Sequence, residues 1–377
     1  MSRITLGDVA VERHEHCKGD KSRYPVVALE HLTPEEITLT AWDESGENTF
    51  TKIFHKGDVL FGRRRAYLKK AALAPFDGIC SGDITVIEAK PDYILPEILP
   101  FVIQNDAFFD FAVGKSAGSL SPRVKWEYLK EYEFNLPSNE DQKNISKILW
   151  SVNDMLEAYK KLTALTDELV KAKFVEMFGE PGEDIHDWGL TKLSECCELN
   201  PKKPKDIFPN CSYSFVAIPS VSVNGIIDVS ISRPYHEICN GYTYFAENDV
   251  LFAKITPCME NGKGGVAVGL KNGIGFGSTE FHVLRPIKEK SDSYWLYIIT
   301  MFNKFRLDAA KIMTGTGGQR RVPIEYLSEY KISLPPYELQ KQFANFVRQS
   351  DKSKLELELT ITVAKAMMKK IIAEKLG

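Results

Sequence analysis

The chain has 377 residues, a formal net charge of −3, 44% hydrophobic and 26% charged residues, which is ordinary for a globular protein with two or three cores. Even the apolar stretch from Leu95 to Phe111 is broken by Gln104, Asn105 and Asp106, and Met1-Ser2-Arg3-Ile4-Thr5 lacks a signal-peptide core, so neither a membrane span nor a signal peptide is expected. Seven cysteines, an odd number without C-x-x-C spacing, predict a reduced, cytoplasmic protein and argue against a disulfide framework.

In chain order, His14-x-His16-Cys17 has metal-binding side chains but no second ligand pair at finger-like spacing. Lys52, Lys56, Arg63, Arg64, Arg65, Lys69 and Lys70 stand against Asp58 alone. Such a basic run on an acidic chain predicts a polyanion partner, with part of the electrostatic grip supplied by another subunit. Val59-Leu-Phe follows turn residues and predicts a buried strand. Ser81–Val86 alternates as a second strand does, and Ile94–Phe111 is apolar and aromatic at helical spacing. Asp77, Glu88 and Lys90 have the residue types of a Mg²⁺-dependent nuclease, and that reading is kept as an alternative. Val113-Gly-Lys-Ser116 lacks the upstream glycine of a phosphate loop, because Phe109 stands there.

Residues 123–143 read RVKWEYLKEYEFNLPSNEDQK, and residues 321–341 read RVPIEYLSEYKISLPPYELQK, with 12 matches in 21 positions at an offset of 198. The repeat extends upstream, where Lys56–Arg63 corresponds to Glu247–Lys254 and Ser81–Val86 to Ser278–Val283. Each copy predicts a mixed α/β domain followed by a long helix. Ser138 is the expected N-cap of the first helix, with Asn139 and Gln142 at capping-box spacing, and Pro336 fits the first turn of the second. A heptad seam is expected over Ile145, Ile148, Val152, Met155, Tyr159, Leu162 and Leu169, and again over Phe343, Phe346, Leu357, Met367 and Ile371. Gly179-Glu-Pro-Gly182 closes the first helix.

The expected architecture is therefore α/β (mixed α+β): two similar globular domains separated by a long antiparallel two-helix coiled coil, with an internal pseudo-two-fold repeat. The expected order is domain (1–137), helix (138–180), domain (181–335), helix (336–377), each rod being about 55–60 Å long at 1.5 Å per residue. Leu334-Pro-Pro-Tyr337 is similar to the Asn/Asp-Pro-Pro-Tyr motif of amino-methyltransferases, but Leu334 offers no acceptor to a target amine, and no glycine-rich cofactor loop follows a strand. No Ser/His/Asp or Cys/His set stands out. The chain reads as non-catalytic.

Lys56-Gly-Asp-Val-Leu-Phe with Asn248-Asp-Val-Leu-Phe, Gly317-Gly-Gln-Arg-Arg-Val322 and Leu334-Pro-Pro-Tyr-Glu-Leu-Gln340 carry a family resemblance. So does Glu-Tyr-Leu-x-Glu-Tyr-x-x-x-Leu-Pro before each long helix. The chain resembles, over nearly its whole length, the specificity subunit of type I restriction–modification systems. The first copy departs in having Ser119-Leu-Ser-Pro122 and Leu-Pro-Ser. The resemblance implies two target recognition domains, each contacting one half of an interrupted sequence in double-stranded DNA. It also implies helices that act as spacer and dock two methyltransferase subunits, with a restriction/translocase subunit joining them. No cofactor is expected in this chain, since S-adenosylmethionine, ATP and Mg²⁺ would belong to partners. A duplicated adaptor that binds only protein is the other alternative.

Domains reading different half-sites should share backbone contacts and differ at base contacts. Arg63 aligns with Lys254 and is assigned to phosphate. Arg64 and Arg65 face Ile255 and Thr256 and are the candidates for guanine. Lys69 lies in the same basic run. The further DNA-contact candidates are Lys115, Ser119 and Ser121 in the first domain, and Lys263, Gln319 and Arg320 in the second. The shared Arg123 and Arg321 are expected to form either a structural ion pair or a phosphate contact.

Overall fold

The computed structural model describes residues 2–44, 49–316 and 318–377, so Gly317 of the Gly317–Val322 motif lies outside the described residues. The chain divides into two compact units, Met1–Lys161 with Glu358–Gly377, and Leu162–Leu357.

In the first unit an antiparallel sheet is built from β1 (Ala10–Glu12), β2 (Val59–Gly62), β3 (Ala71–Leu73) and β4 (Ile84–Ala89), in the order β1-β4-β2-β3. Val59-Leu-Phe is apolar without alternation because both its faces are covered. Val59 and Phe61 pack with Phe101, Phe108 and Phe109 of the helices Leu99–Ile103 and Asp106–Gly114. Leu60 packs on the opposite side with Val27, Phe54 and Cys80 of a second, three-stranded sheet. Phe61 is fully buried, and truncating it to alanine would cost about 3–5 kcal/mol. The strand Ser2–Thr5 pairs with Glu133–Leu136, so the motif that precedes the long helix ends by closing the domain on its own first strand.

The second unit repeats this plan with β5 (Cys197–Leu199), β6 (Val250–Ala253), β7 (Gly264–Val266) and β8 (Phe281–Pro286), ordered β5-β8-β6-β7. Val250 and Phe252 face Trp295 and Phe305 of the helices Ser293–Met301 and Asn303–Lys311. Leu251 and Val283 face a second, four-stranded sheet through Val216 and Phe245. Leu190–Lys192 pairs with Lys331–Ser333 as the closing ribbon.

Two 40-residue helices follow these ribbons, α1 (Asn139–Phe178) and α2 (Tyr337–Leu376). Ser138 caps α1: its Oγ accepts from the Asp141 N–H at 3.2 Å and donates to Asp141 Oδ2 at 2.7 Å. Gln142 does not complete that box, contrary to the spacing. Its buried amide accepts from the Leu95 N–H at 2.9 Å and donates to Pro137 O at 3.1 Å. Gln340 does the same with the Asp292 N–H and Pro335 O, both at 2.9 Å. The shared glutamine thus ties each helix start to its domain. Gly179, at φ +78, ends α1 in the left-handed region, and its N–H reaches Val175 O at 2.9 Å.

Each unit contains part of both helices. In the first, Ile145, Leu149 and Leu156 of α1 share a core with Ala364, Met368, Ile372 and Leu376 of α2. In the second, Val170, Phe174 and Phe178 of α1 share a core with Phe343 and Val347 of α2, and the Phe174 and Phe343 ring centroids lie 5.4 Å apart. The beginning of each helix therefore meets the end of the other, which is an antiparallel pairing. The offset of 198 runs through both buried faces, matching Ile145/Phe343, Leu149/Val347, Val170/Met368, Phe174/Ile372 and Phe178/Leu376.

The face differs from the expected seam. Ile145 and Phe343 are buried, and Val152, Met155, Tyr159, Phe346, Leu357 and Ile371 are half-buried, but Ile148, Leu162, Leu169 and Met367 are exposed. Apolar doublets at 148–149, 169–170 and 367–368 offered two registers, and the buried one lies one residue further round. The reason is that each helix packs on its domain as well as on its partner, which widens the buried stripe beyond a narrow coiled-coil seam. Among the described residues no helix is long and apolar enough to cross a membrane.

Candidate nucleic-acid interface

β2 runs out of the first sheet into Arg63, Arg64 and Arg65, and backbone pairing fixes this exit. The Arg63 N–H donates to Asp83 O at 3.0 Å, the Val124 N–H to Arg63 O at 3.0 Å, and the Arg65 N–H to Pro122 O at 2.8 Å. Ala117 and Arg123 exchange two backbone hydrogen bonds of 2.9 Å, closing a loop that carries Ser119, Leu120 and Ser121. Beneath it Arg123 grips Asp83 by both oxygens, at 2.7 and 3.2 Å. Arg64 reaches the same carboxylate at 3.5 Å and donates to Ser121 Oγ. The Arg123 guanidinium holds the Asp83 carboxyl below the usual range.

The second unit repeats this clamp. The Lys254 N–H donates to Glu280 O at 2.9 Å, the Val322 N–H to Lys254 O at 2.9 Å, and the Thr256 N–H to Arg320 O at 3.0 Å. Thr314 and Arg321 exchange bonds of 3.0 and 2.7 Å, and Arg321 grips Glu280 at 2.8 and 2.7 Å. Burial lowers the affinity of the Lys254 ammonium for its proton, and Glu280 partly offsets this. Of the two expectations for Arg123 and Arg321, the ion pair is the one present. Asp83 and Glu280 were not singled out from sequence, although each lies at the same place in its strand motif, 40 and 41 residues before its arginine.

Behind the second clamp, His282 is buried with Nε2–H donating to Val322 O at 2.8 Å and Nδ1 facing the Asn200 amide nitrogen at 3.2 Å. That pairing requires a neutral imidazole, and burial pushes its pKa down to about 4.

The structure brings Arg63, Arg64, Ser121 and Arg123 together in one unit, and Lys254, Gln319, Arg320 and Arg321 in the other. Arg65 is exposed at φ +55, and its guanidinium meets no partner among the described residues. Ser119 and Gln319 are exposed on their loops, and Arg320 stands 3.9 Å from Glu260. Three lysines are engaged elsewhere. Lys69 meets Asp106, Lys115 lies 3.7 Å from Glu131 and over the Phe111 ring, and Lys263 donates to Ile218 O at 3.2 Å.

The nuclease constellation does not assemble. Asp77 accepts from the Lys56 N–H and pairs with His55, Glu88 pairs with Arg13, and Lys90 donates to Gly7 O. Val113 and Gly114 close a helix, the opposite polarity to a phosphate cradle. His16 pairs with Thr51, and the Cys17 thiol points to the carbonyls of Gly19 and Asp20. No group of three or more metal-binding side chains forms among the described residues.

A family model described as type I restriction modification DNA specificity domain matches residues 5–167 and again 185–364. The EcoEI type I restriction enzyme specificity subunit of Escherichia coli is 34% identical over 192 residues, 48% of this chain and 32% of that protein. The MjaVIII specificity subunit of Methanocaldococcus jannaschii is 23% identical over 341 residues, 85% of this chain and 74% of that one. The chain spans about a third of the length of the E. coli relatives EcoEI and EcoAI. A crystal structure of a type I restriction–modification S subunit from M. genitalium shares the fold, with 12% identity, a TM-score of 0.55 and coverage of 100% of this chain and 96% of that one. A chain from a type I restriction–modification assembly aligns with 18% identity, a TM-score of 0.50 and coverage of 99% and 97%.

Proposed function

This chain belongs to the type I restriction–modification DNA specificity family, and on that premise we propose that it is a non-catalytic DNA-reading subunit. It recognises an interrupted, two-part sequence and carries methyltransferase subunits, with a restriction/translocase subunit joining in the cytoplasm. S-adenosylmethionine, ATP and Mg²⁺ then belong to those partners.

The observation that supports this reading is the twice-built clamp. Its shared parts are backbone bonds and an arginine–carboxylate pair, which position a loop without carrying sequence information. Its differing parts are the side chains displayed around it. Contacts that fix register are sequence-neutral, and base-edge contacts discriminate. Accordingly Arg63 and Lys254 are assigned to phosphate. Arg65, with Ser119, is assigned to bases in one half-site, and Gln319 with Arg320 in the other. Arg64 serves the clamp.

The test is an exchange of residues 1–137 for the matching domain of a relative, in a host that supplies the methyltransferase. Sequencing of modified bases should show one half of the methylated motif altered and the other half retained. An unchanged motif, or one altered in both halves, overturns the reading.

A further inference from the structure

Each unit has a crevice between its domain and its portions of the helices, and the two crevices differ in charge. In the first unit it holds Glu35, Glu36, Lys69, Asp106, Lys160 and Lys369 among its walls. These charges neutralise one another. Lys69 meets Asp106, Lys369 meets Glu35 at 2.7 Å and Asp106 at 3.7 Å, and Lys160 meets Glu36 at 2.8 Å.

The corresponding crevice of the second unit is lined by Asp167, Lys171, Asn224, Asn261, Arg306 and Lys354. The offset of 198 equates Lys171 with Lys369, but the carboxylates that neutralise Lys369 have no counterpart here. Gly225, at φ +88, follows Asn224 of this crevice. Where Lys69 takes φ +51, the second unit has Gly262 at φ +86.

The Arg306 guanidinium occupies the space a side chain at 262 would fill, since a Cβ there would overlap its Nη1. Its Nε donates to Thr300 O at 2.9 Å and its Nη2 contacts Met301 Sδ, while no carboxylate meets it among the described residues. Asp167 and Asp351 are both taken by Lys354, at 2.8 Å each. Lys171 and the side-chain amides of Asn224 and Asn261 are also without partners among the described residues. Three cations (Lys171, Arg306, Lys354) therefore face two carboxylates (Asp167, Asp351) in one concave site.

A part-buried guanidinium without a counter-ion is costly, and an oxyanion would satisfy it through charge-assisted hydrogen bonds. We propose that this crevice binds a phosphate-type oxyanion, gripped by Arg306 and Lys171 with Asn224 and Asn261 as amide donors. The oxyanion comes either from a free phosphate compound or from the backbone of bound duplex DNA. The free-phosphate arm does not depend on the role of the clamp loops, whereas the duplex arm rests on the proposed function.

The test is calorimetric titration of the full chain with inorganic phosphate, at constant ionic strength against chloride, together with the salt dependence of duplex binding. Lys171 makes no hydrogen bond or ion pair among the described residues, so Lys171→Met should fold normally. It should weaken phosphate about tenfold or more, whereas Lys369→Met, its equivalent in the neutralised crevice, should change nothing. Saturable phosphate binding with an unchanged duplex salt slope identifies a free anion. A slope reduced by about 0.9 in Lys171→Met identifies the DNA backbone. Absence of both effects, or an equal response of Lys171→Met and Lys369→Met, overturns the proposal. So does phosphate binding that is abolished by removing Arg63, Arg64 and Arg65 but not by Lys171→Met.

Discussion

Asp83 and Glu280 each hold an arginine by two oxygens, and each pair stands at the exit of a core strand with one side open to solvent. Half-exposed pairs of this kind contribute about 0–1 kcal/mol to stability, so Asp83→Asn should barely shift thermal unfolding. It should free Arg123 and loosen the loop Ala117–Arg123. Recognition of one half-site should then relax while the other keeps its fidelity, and Glu280→Gln should produce the mirror pattern. Methylated-motif sequencing of both variants checks this, and loss in both halves from either change contradicts it. His282 supplies a pH dependence. Its pKa is about 4 in the fold against 6.5 in the unfolded chain, so between those values the unfolded chain binds more protons. Its contribution is therefore full above pH 6.5, declines as pH falls toward 4, and is lost below. The whole effect is about 3 kcal/mol, about 2 of it gone by pH 5. His282→Thr, which copies Thr85 of the first unit, should lose less stability than the parent between pH 7 and pH 5 in urea unfolding. Equal losses would remove His282 as the cause.

At the scale of elements, the long helices keep apolar side chains on their open faces: Leu162, Leu165 and Leu169 on α1, and Leu359, Val363 and Met367 on α2. Leu165 and Val363, like Leu169 and Met367, are equivalent at the offset of 198. Under the proposed function these repeated apolar strips are the docking surfaces for two methyltransferase subunits. Leu165→Asp with Val363→Asp should change the stability of the chain by no more than about 0.5 kcal/mol per site and should abolish co-purification with the methyltransferase. Intact assembly in the double variant would place the docking surface elsewhere. The existence and ends of these helices were legible, because Ser138, Leu136-Pro137 and Gly179 are local signals. The buried face was not, because a doublet such as Ile148-Leu149 satisfies two registers equally until the domain behind the helix selects one. Gln142 departs from the capping-box spacing for a related reason: its partner Leu95 reaches it only once the chain has folded back on itself.

For the whole molecule, the duplication was written plainly in residues 123–143 and 321–341, and the strands, helices and closing ribbons recur in both copies as that repeat implies. Charge was less legible. The basic run from Lys52 to Lys70 reads as one patch, yet Lys52 is buried against Glu12 at 3.1 Å, Lys69 meets Asp106, Lys70 donates to Leu29 O at 2.7 Å and Arg64 joins Asp83. Partner choice across 19 to 41 residues of sequence is invisible to composition, and it removes most of the run from service as a polyanion site. The cations of that run whose side chains make no ion pair or hydrogen bond among the described residues, Lys56, Arg63 and Arg65, on a chain of net charge −3, limit how many counter-ions it can displace from a duplex there. Since each neutralised phosphate adds about 0.9 to the slope of log K against log salt, the chain alone should bind DNA weakly, with a slope of no more than about 4. Adding methyltransferase subunits should raise affinity, steepen the slope and bring out sequence discrimination, because the missing positive surface then arrives with the partner. Fluorescence-anisotropy titrations over a salt series, with and without the methyltransferase, read all of these quantities. Tight and sequence-selective binding by the isolated chain at physiological salt would contradict this division of labour.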